Sequence, residues 1–309
     1  MTIADPSDSP DAPLDQFRAD NVYLGADHAR NERRTWIVAG ICAATLAAQV
    51  AGGVLFHSMA LTAAGLHMGA HVAALAVSAF AYAYARRHAD DPRFAFGAGK
   101  VGYLAGFANA VVLGVTALAI ASESLHRLIA PEAVDFGSAL PLAVAGLAVT
   151  LVCVWLLQPA SRDRHDHDQD GDLNIAAAHL HLTADALVGV LTIAGLIAGR
   201  RLGWTWADPI MGLIGAGLVA QFAWRLLRRA CPALLDVNPS PELTRQVRTR
   251  LECGGERVAD LHLWRLGPGH HAAMALIVAS DPQSPQVYRA RLADLAGLSH
   301  VILEVRRAV

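Results

Sequence analysis

Six stretches of this chain, at about 35–56, 61–85, 101–124, 138–157, 174–199 and 206–224, stay apolar for about twenty residues, the length at which a helix crosses the hydrocarbon layer of a bilayer. Composition agrees with six membrane helices. Only 17% of the 309 residues are charged and the mean hydropathy is +0.36, whereas a soluble chain carries about a quarter charged residues. The formal net charge of −2 points to no polyanionic partner, so nucleic acid is not expected. Cys42, Cys153, Cys231 and Cys253 form no CxxC pair, which argues against a disulfide framework or a cysteine zinc site. Residues 1–34 are polar and acidic, without the basic start and short apolar core of a cleavable signal peptide.

Beyond Arg225 the chain changes character. Residues 232–309 carry charge at ordinary soluble density and no run long enough to span. Three regions are therefore expected. They are a polar segment at 1–34, a six-helix transmembrane domain at 35–229 with an acidic, histidine-bearing loop at 159–173, and a small domain at 232–309. Basic residues fix the orientation. Twelve lie on one side (Arg30, Arg33, Arg34, Arg86, Arg87, Arg93, Lys100, Arg162, Arg164, Arg225, Arg228, Arg229) and three on the other (Arg127, Arg200, Arg201). Both termini should then be cytoplasmic, in a multi-pass protein of the cytoplasmic membrane.

The tail reads α-β-β-α-β. Ser240 is placed as an N-cap with Glu242 in the first helical turn. "RVADLHLWRLG" and "HHAAMALIVAS" read as strands around the turn Gly267-Pro268-Gly269. A second helix in "SPQVYRARLADLAG", stopped by Gly297, and a strand in "HVILEVRR" complete a ferredoxin-like α+β pattern. A core this small would gain from pairing with a second copy.

Ionisable groups recur within the apolar segments. His67 and His71 stand four residues apart in the second, and His181 and Asp185 four apart in the fifth. Residues at that spacing share one helix face. At a rise of about 1.5 Å per residue, Asp185 lies roughly 16 Å beyond Asn174, near the midplane. His71 reaches a similar depth from the opposite direction. Three imidazoles and one carboxylate could thus meet at one level, a tetrahedral set for Zn²⁺ that also suits Co²⁺ and Ni²⁺. A mid-membrane Asp costs about 2.5–3.5 kcal/mol, which a metal or a proton offsets. Metal loading would then release protons, and histidine titrates in the cytoplasmic range. His179, two residues before His181, points away from the pair and reads as a supporting or packing residue, not a ligand.

At these residues the sequence resembles the cation diffusion facilitator family over nearly everything after the first 30 residues. The resemblance rests on "HMGAH", "HLTAD", "FGAGK" (Phe96 to Lys100), "ESLHRL" (Glu123 to Leu128) and "DPIMG" (Asp208 to Gly212). It implies a homodimeric, proton-coupled exporter of divalent transition metals. The transport site would be His67, His71, His181 and Asp185, with no cofactor beyond the transported ion. Zinc-exporting members usually carry Asp at the position of His71, and many members of the family carry another at that of Ala64. Together with "DLHLWRLGPGH", these departures resemble the cobalt- and nickel-exporting, DmeF-like branch. Co²⁺ or Ni²⁺ is therefore the first expectation, and a zinc or broader exporter the alternative.

Phe94 and Ala98 occupy the places where some members bind a second metal beside the FGAGK loop, so none is expected there. The loop "RDRHDHDQDGD" opens like a calcium loop, but its twelfth position is Ala177 instead of glutamate. His165 and His167 read either as a metal-collecting loop or as part of a solvated acidic one. In the tail, the resemblance suggests a regulatory site at Asp236, His262 and His271, set against histidines that simply decorate a small sheet. Arg306 argues against a multinuclear cluster. Asn109 is expected to bond across helices, Glu123 to pair with Arg127, and Asp208 to cap the sixth helix. An intramembrane haem protein or protease is the remote alternative. The paired ligands do not suit axial haem ligation, and no HExxH supplies a general base. A metal sensor leaves six helices unexplained.

Overall fold

The computed structural model describes residues 23–24, 27–55, 59–130, 136–158, 172–204 and 206–308, without the side chains at 52–53, 59–67, 70, 136–138 and 208. Six long helices come first: α1 (His28–Leu55), α2 (Met59–Arg87), α3 (Val101–Ile129), α4 (Phe136–Leu156), α5 (Leu173–Leu202) and α6 (Ala207–Leu234). Among the described residues, five of them, all except α2, include a stretch long and apolar enough to cross a membrane. Their outward faces are apolar too, with Phe80, Val115, Leu118 and Trp155 each more than 60% exposed.

The helices overrun the apolar segments that announce them. α1 begins at His28, inside the segment expected to be polar and separate, and α6 runs to Leu234, beyond 229. Hydropathy marks only the part of a helix that lipid would cover. Beyond it, Asn, Glu and Arg continue the same hydrogen-bond ladder in water at little propensity cost. Asp208 does not cap α6. The helix starts at Ala207, and Trp206 takes the cap position without a side-chain bond.

α5 is the shared wall of the bundle. Leu173, Ala177 and Ala184 belong to one buried cluster with Leu113 of α3 and Leu226 of α6. Ile175, Ala178 and Leu182 belong to a second, with Val38 of α1, Leu75 of α2 and Cys153 of α4. Its alanines allow close approach on both sides. Both ends are fixed: Asp172 accepts from the Asn174 N–H at the start, and Gly203 closes the end with φ 71° and a bond to the Gly199 carbonyl.

The tail follows as α7 (Pro241–Leu251), β1 (Arg257–Gly267), β2 (His270–Ala279), α8 (Pro285–Ala290) and β3 (Leu298–Arg307). Ser240 caps α7 through the Leu243 N–H. The sheet order is β1-β2-β3, with β1 antiparallel and β3 parallel to β2. α8 is shorter than expected. From Leu292 to Leu295 the backbone bonds run i to i+3, which tightens the chain while Tyr288, Leu292 and Leu295 stay buried against Ile277.

The tail is joined to the bundle by backbone contact. A Cβ added at Gly99 would lie 2.4 Å from the Leu266 carbonyl oxygen and 2.7 Å from that of Tyr23. One added at Gly267 would lie 2.3 Å from the Tyr23 oxygen. Around this contact Phe96 meets Trp264 edge-on at 5.3 Å, Arg265 lies over the Tyr103 ring, and Lys100 pairs with Asp236.

Two outcomes follow from these contacts. Gly99→Ala should destabilise by about 2 kcal/mol, in the range of overpacking, and should expose the Gly267 turn to limited proteolysis. Glu256 accepts from Arg291 at 3.0 Å and from the Gly254 N–H at 2.6 Å, which holds its carboxyl below the usual 4.5. A lowered folded value gives stability that is complete above 4.5 and lost as pH falls through the folded value. Glu256→Gln should therefore flatten the fall in melting temperature between about pH 7 and about pH 3.

Candidate metal site in the helix bundle

α2 and α5 bring three donor atoms together. His71 Nδ1 lies 3.2 Å from His181 Nε2 and 3.2 Å from Asp185 Oδ2, and His181 Nε2 lies 3.4 Å from the same oxygen. The imidazole rings are perpendicular, with centroids 5.4 Å apart. His71 and His181 are each 4% exposed and the Asp185 side chain 8%. The regular turn of α5 sets His181 and Asp185 on one face, and α2 supplies His71 opposite.

This triangle has the size of a metal's coordination face. Donors about 2.0 Å from one Zn²⁺ at tetrahedral angles are about 3.3 Å apart. Asp185 Oδ2 faces both imidazole nitrogens but accepts no hydrogen bond among the described residues, and burying a carboxylate oxygen without one is costly. A cation seated over the three atoms would satisfy that oxygen and both nitrogens together. No other cluster of three or more candidate ligands occurs among the described residues.

The remaining expected site residues fall differently. His67 lies on α2 one turn before His71, with its side chain outside the described residues, as are His165 and His167 altogether. Asp236, His262 and His271 are not brought together within one chain. Asp236 pairs with Lys100, and His262 bonds Asp260 at 2.9 Å on an exposed face. His262 stands opposite Met274 and Arg265 opposite His271, so the strand alternation puts the two histidines on opposite faces of the sheet. His271 is buried. Asn109 does bond across helices, to Ser78 Oγ at 2.8 Å, and Glu123 pairs with Arg127 at 2.7 Å.

Sequence reasoning did not anticipate the polar groups below the triad. Asp172, read as loop, accepts from Asn31 Nδ2 at 3.0 Å, from the Asn174 N–H at 3.0 Å and from the Tyr82 hydroxyl. It thereby ties α1, α2 and α5. Asn174 Nδ2 donates to the Ser78 carbonyl at 2.8 Å. The available signal was a spacing of seven, His71 to Ser78 and Asn174 to His181, which repeats a helix face after two turns.

Residues 35–235 match the family profile described as the cation efflux transmembrane domain. The chain belongs to the cation efflux (cation diffusion facilitator) family. It is 33% identical to the zinc transporter ZitB of Escherichia coli over 240 residues, 77% of this chain and 74% of that one. It is 29% identical over 297 residues to the metal cation efflux system protein CzcD of Cupriavidus metallidurans, covering 92% and 91%. A cadmium, cobalt and zinc/H(+)-K(+) antiporter of Bacillus velezensis is 28% identical over 265 residues, covering 83% and 82%. The chain is a multi-pass membrane transporter for metal cations and not an enzyme.

If the triad holds the cation, Asp185→Asn should lower Zn²⁺ affinity by at least about 100-fold, the upper end of what losing even a supporting group does. Isothermal titration of detergent-solubilised protein would read this, with unaltered helix content as the control.

Proposed function

We propose that the chain exports divalent transition-metal cations from the cytoplasm in exchange for protons, with Zn²⁺ as the first cargo. The cation binds at His71, His181 and Asp185, and His67 supplies the fourth donor. The observation that carries this reading is the buried triangle with sides of 3.2, 3.2 and 3.4 Å, the edge length of a tetrahedral site.

Exchange follows from the donor set. Imidazole nitrogen and carboxylate oxygen bind either a metal or protons through the same lone pairs, so protons arriving from outside displace the cargo. Alternating exposure of the site needs the bundle to rock around it, as in transporters with midplane sites. The name of the ZitB relative supports zinc over the cobalt and nickel first expected from the sequence, and that of the Bacillus relative, which includes cobalt beside zinc, supports counter-transport. Six long helices and the loop charges support six spans with both termini cytoplasmic, divided near 35–229 and 232–309. The α-β-β-α-β order supports a ferredoxin-like tail. The small tail core is consistent with a homodimer. A regulatory site using Asp236, His262 and His271 would need donors from a second copy.

One observation favours the Co²⁺ or Ni²⁺ reading. An imidazole stands at His71, and nitrogen in place of carboxylate favours those ions relative to harder ones. Uptake of Zn²⁺, Co²⁺ and Ni²⁺ into proteoliposomes under an imposed proton gradient decides between them. Zn²⁺ should move fastest in the wild type, and His71→Asp should raise the Zn²⁺ to Co²⁺ rate ratio several-fold. A wild type preferring Co²⁺ or Ni²⁺ would restore the branch reading. Uptake indifferent to the gradient would remove proton exchange.

A further inference from the structure

We infer that the amide oxygens of Asn109 and Asn174, oriented by Ser78, form a second cation site, a waypoint of neutral oxygen donors that the divalent cargo occupies on its way from the cytoplasm to the triad. The inference rests on the transport reading of His71, His181 and Asp185.

The placement comes first. Ser78 follows His71 by seven residues on α2, and Asn174 precedes His181 by seven on α5. Seven residues are about two turns, or roughly 10 Å along a helix. Both residues therefore sit on the same helix faces as the donors, displaced toward the cytoplasmic ends. Asn109 reaches the layer from α3. Asn174 also lines a pocket with His28, Tyr82, Asp172 and Pro268, so the layer lies between that pocket and the triad.

The chemistry comes second. Ser78 and Asn174 are 0% exposed and Asn109 1%. The Ser78 carbonyl can only accept, so the Asn174 amide must turn its Nδ2 toward it, at 2.8 Å, and its Oδ1 away. Asn109 turns its Nδ2 to Ser78 Oγ, also at 2.8 Å. The two amide oxygens, Asn109 Oδ1 and Asn174 Oδ1, are buried and accept no hydrogen bond among the described residues. Buried polar atoms in native proteins nearly always have a partner. Here the missing partner must bring positive charge or a proton donor, because both atoms are acceptors.

A divalent cation carrying part of its water shell meets that requirement. Neutral amide oxygens hold it without releasing a proton and without the affinity of nitrogen ligands. Conduction needs binding strong enough to admit an ion and weak enough to let it leave. The cation would thus pass from oxygen donors in the layer to nitrogen donors in the triad, and only the second step exchanges protons.

The test uses the full-length protein. Initial Zn²⁺ uptake into proteoliposomes is compared with equilibrium Co²⁺ binding, read from its visible absorption as a probe of the triad. Asn174→Leu should slow uptake at low metal about tenfold while leaving the Co²⁺ spectrum and affinity as in the wild type. Asn109→Leu, on a different helix, should act in the same way. Asn174→Asp, which restores an oxygen donor, should recover most of the rate. Wild-type uptake in both leucine variants would overturn the waypoint and leave a bridging water as the occupant. So would Asn174→Asp as slow as Asn174→Leu, or loss of the Co²⁺ spectrum, since either means that the amide only packs. A wild type that binds Co²⁺ yet moves neither metal would overturn the transport reading and the waypoint with it.

Discussion

The carboxylate of Asp185, enclosed between two imidazoles in an apolar bundle, sets the terms for the rest of this molecule. On an insertion scale such a group costs about 2.5–3.5 kcal/mol at the membrane centre, and Asp185 Oδ2 has no hydrogen-bond donor among the described residues. Coulombic attraction is strong in such a medium, so whatever positive charge reaches the site is held tightly. The same property that makes the site costly when unfilled makes it selective for cations. In the proposed exchange, metal and proton compete for one set of lone pairs, and protons moving down their gradient would drive export without further chemistry.

Holding that geometry requires a rigid α5. The helix is anchored by the Asp172 cap and the Gly203 stop, and it packs into both buried clusters of the bundle. It therefore cannot shift without disturbing helices on either side. Asp172 also binds Asn31 of α1 and Tyr82 of α2, which gathers three helices at the start of α5. A rocking bundle would have to break or carry this hub as one piece. Buried polar networks of this kind fix one arrangement because every alternative leaves a group unsatisfied.

The C-terminal tail is coupled to the bundle through a contact with no room in it. Gly99, before α3, and Gly267, at the β1–β2 turn, meet the backbone of Tyr23 so closely that neither could carry a Cβ without displacement. Tyr23 itself is 2% exposed, packed with Leu266 and Ala272. The Lys100–Asp236 pair crosses the same junction. Any movement of α3 would therefore press on the sheet through this steric contact and the ion pair.

The helical membrane class, the α-β-β-α-β order of the tail and the pairing of His181 with Asp185 were legible in the sequence, because each depends on local periodicity. Twenty apolar residues, a period of two, and a spacing of four each impose a geometry that no neighbour is needed to create. Tertiary structure decided the rest. It brought His71 across from another helix to 3.2 Å from both partners. It separated His262 from His271 by the alternation of strands whose register the sequence did not specify. It carried α1 and α6 past their apolar limits, since hydropathy marks the lipid boundary and not the hydrogen-bond ladder. It also assembled Ser78, Asn109 and Asn174 into one layer. A lone Ser or Asn in an apolar run carries no local signal of its partner, and only packing reveals which of its atoms is left without one.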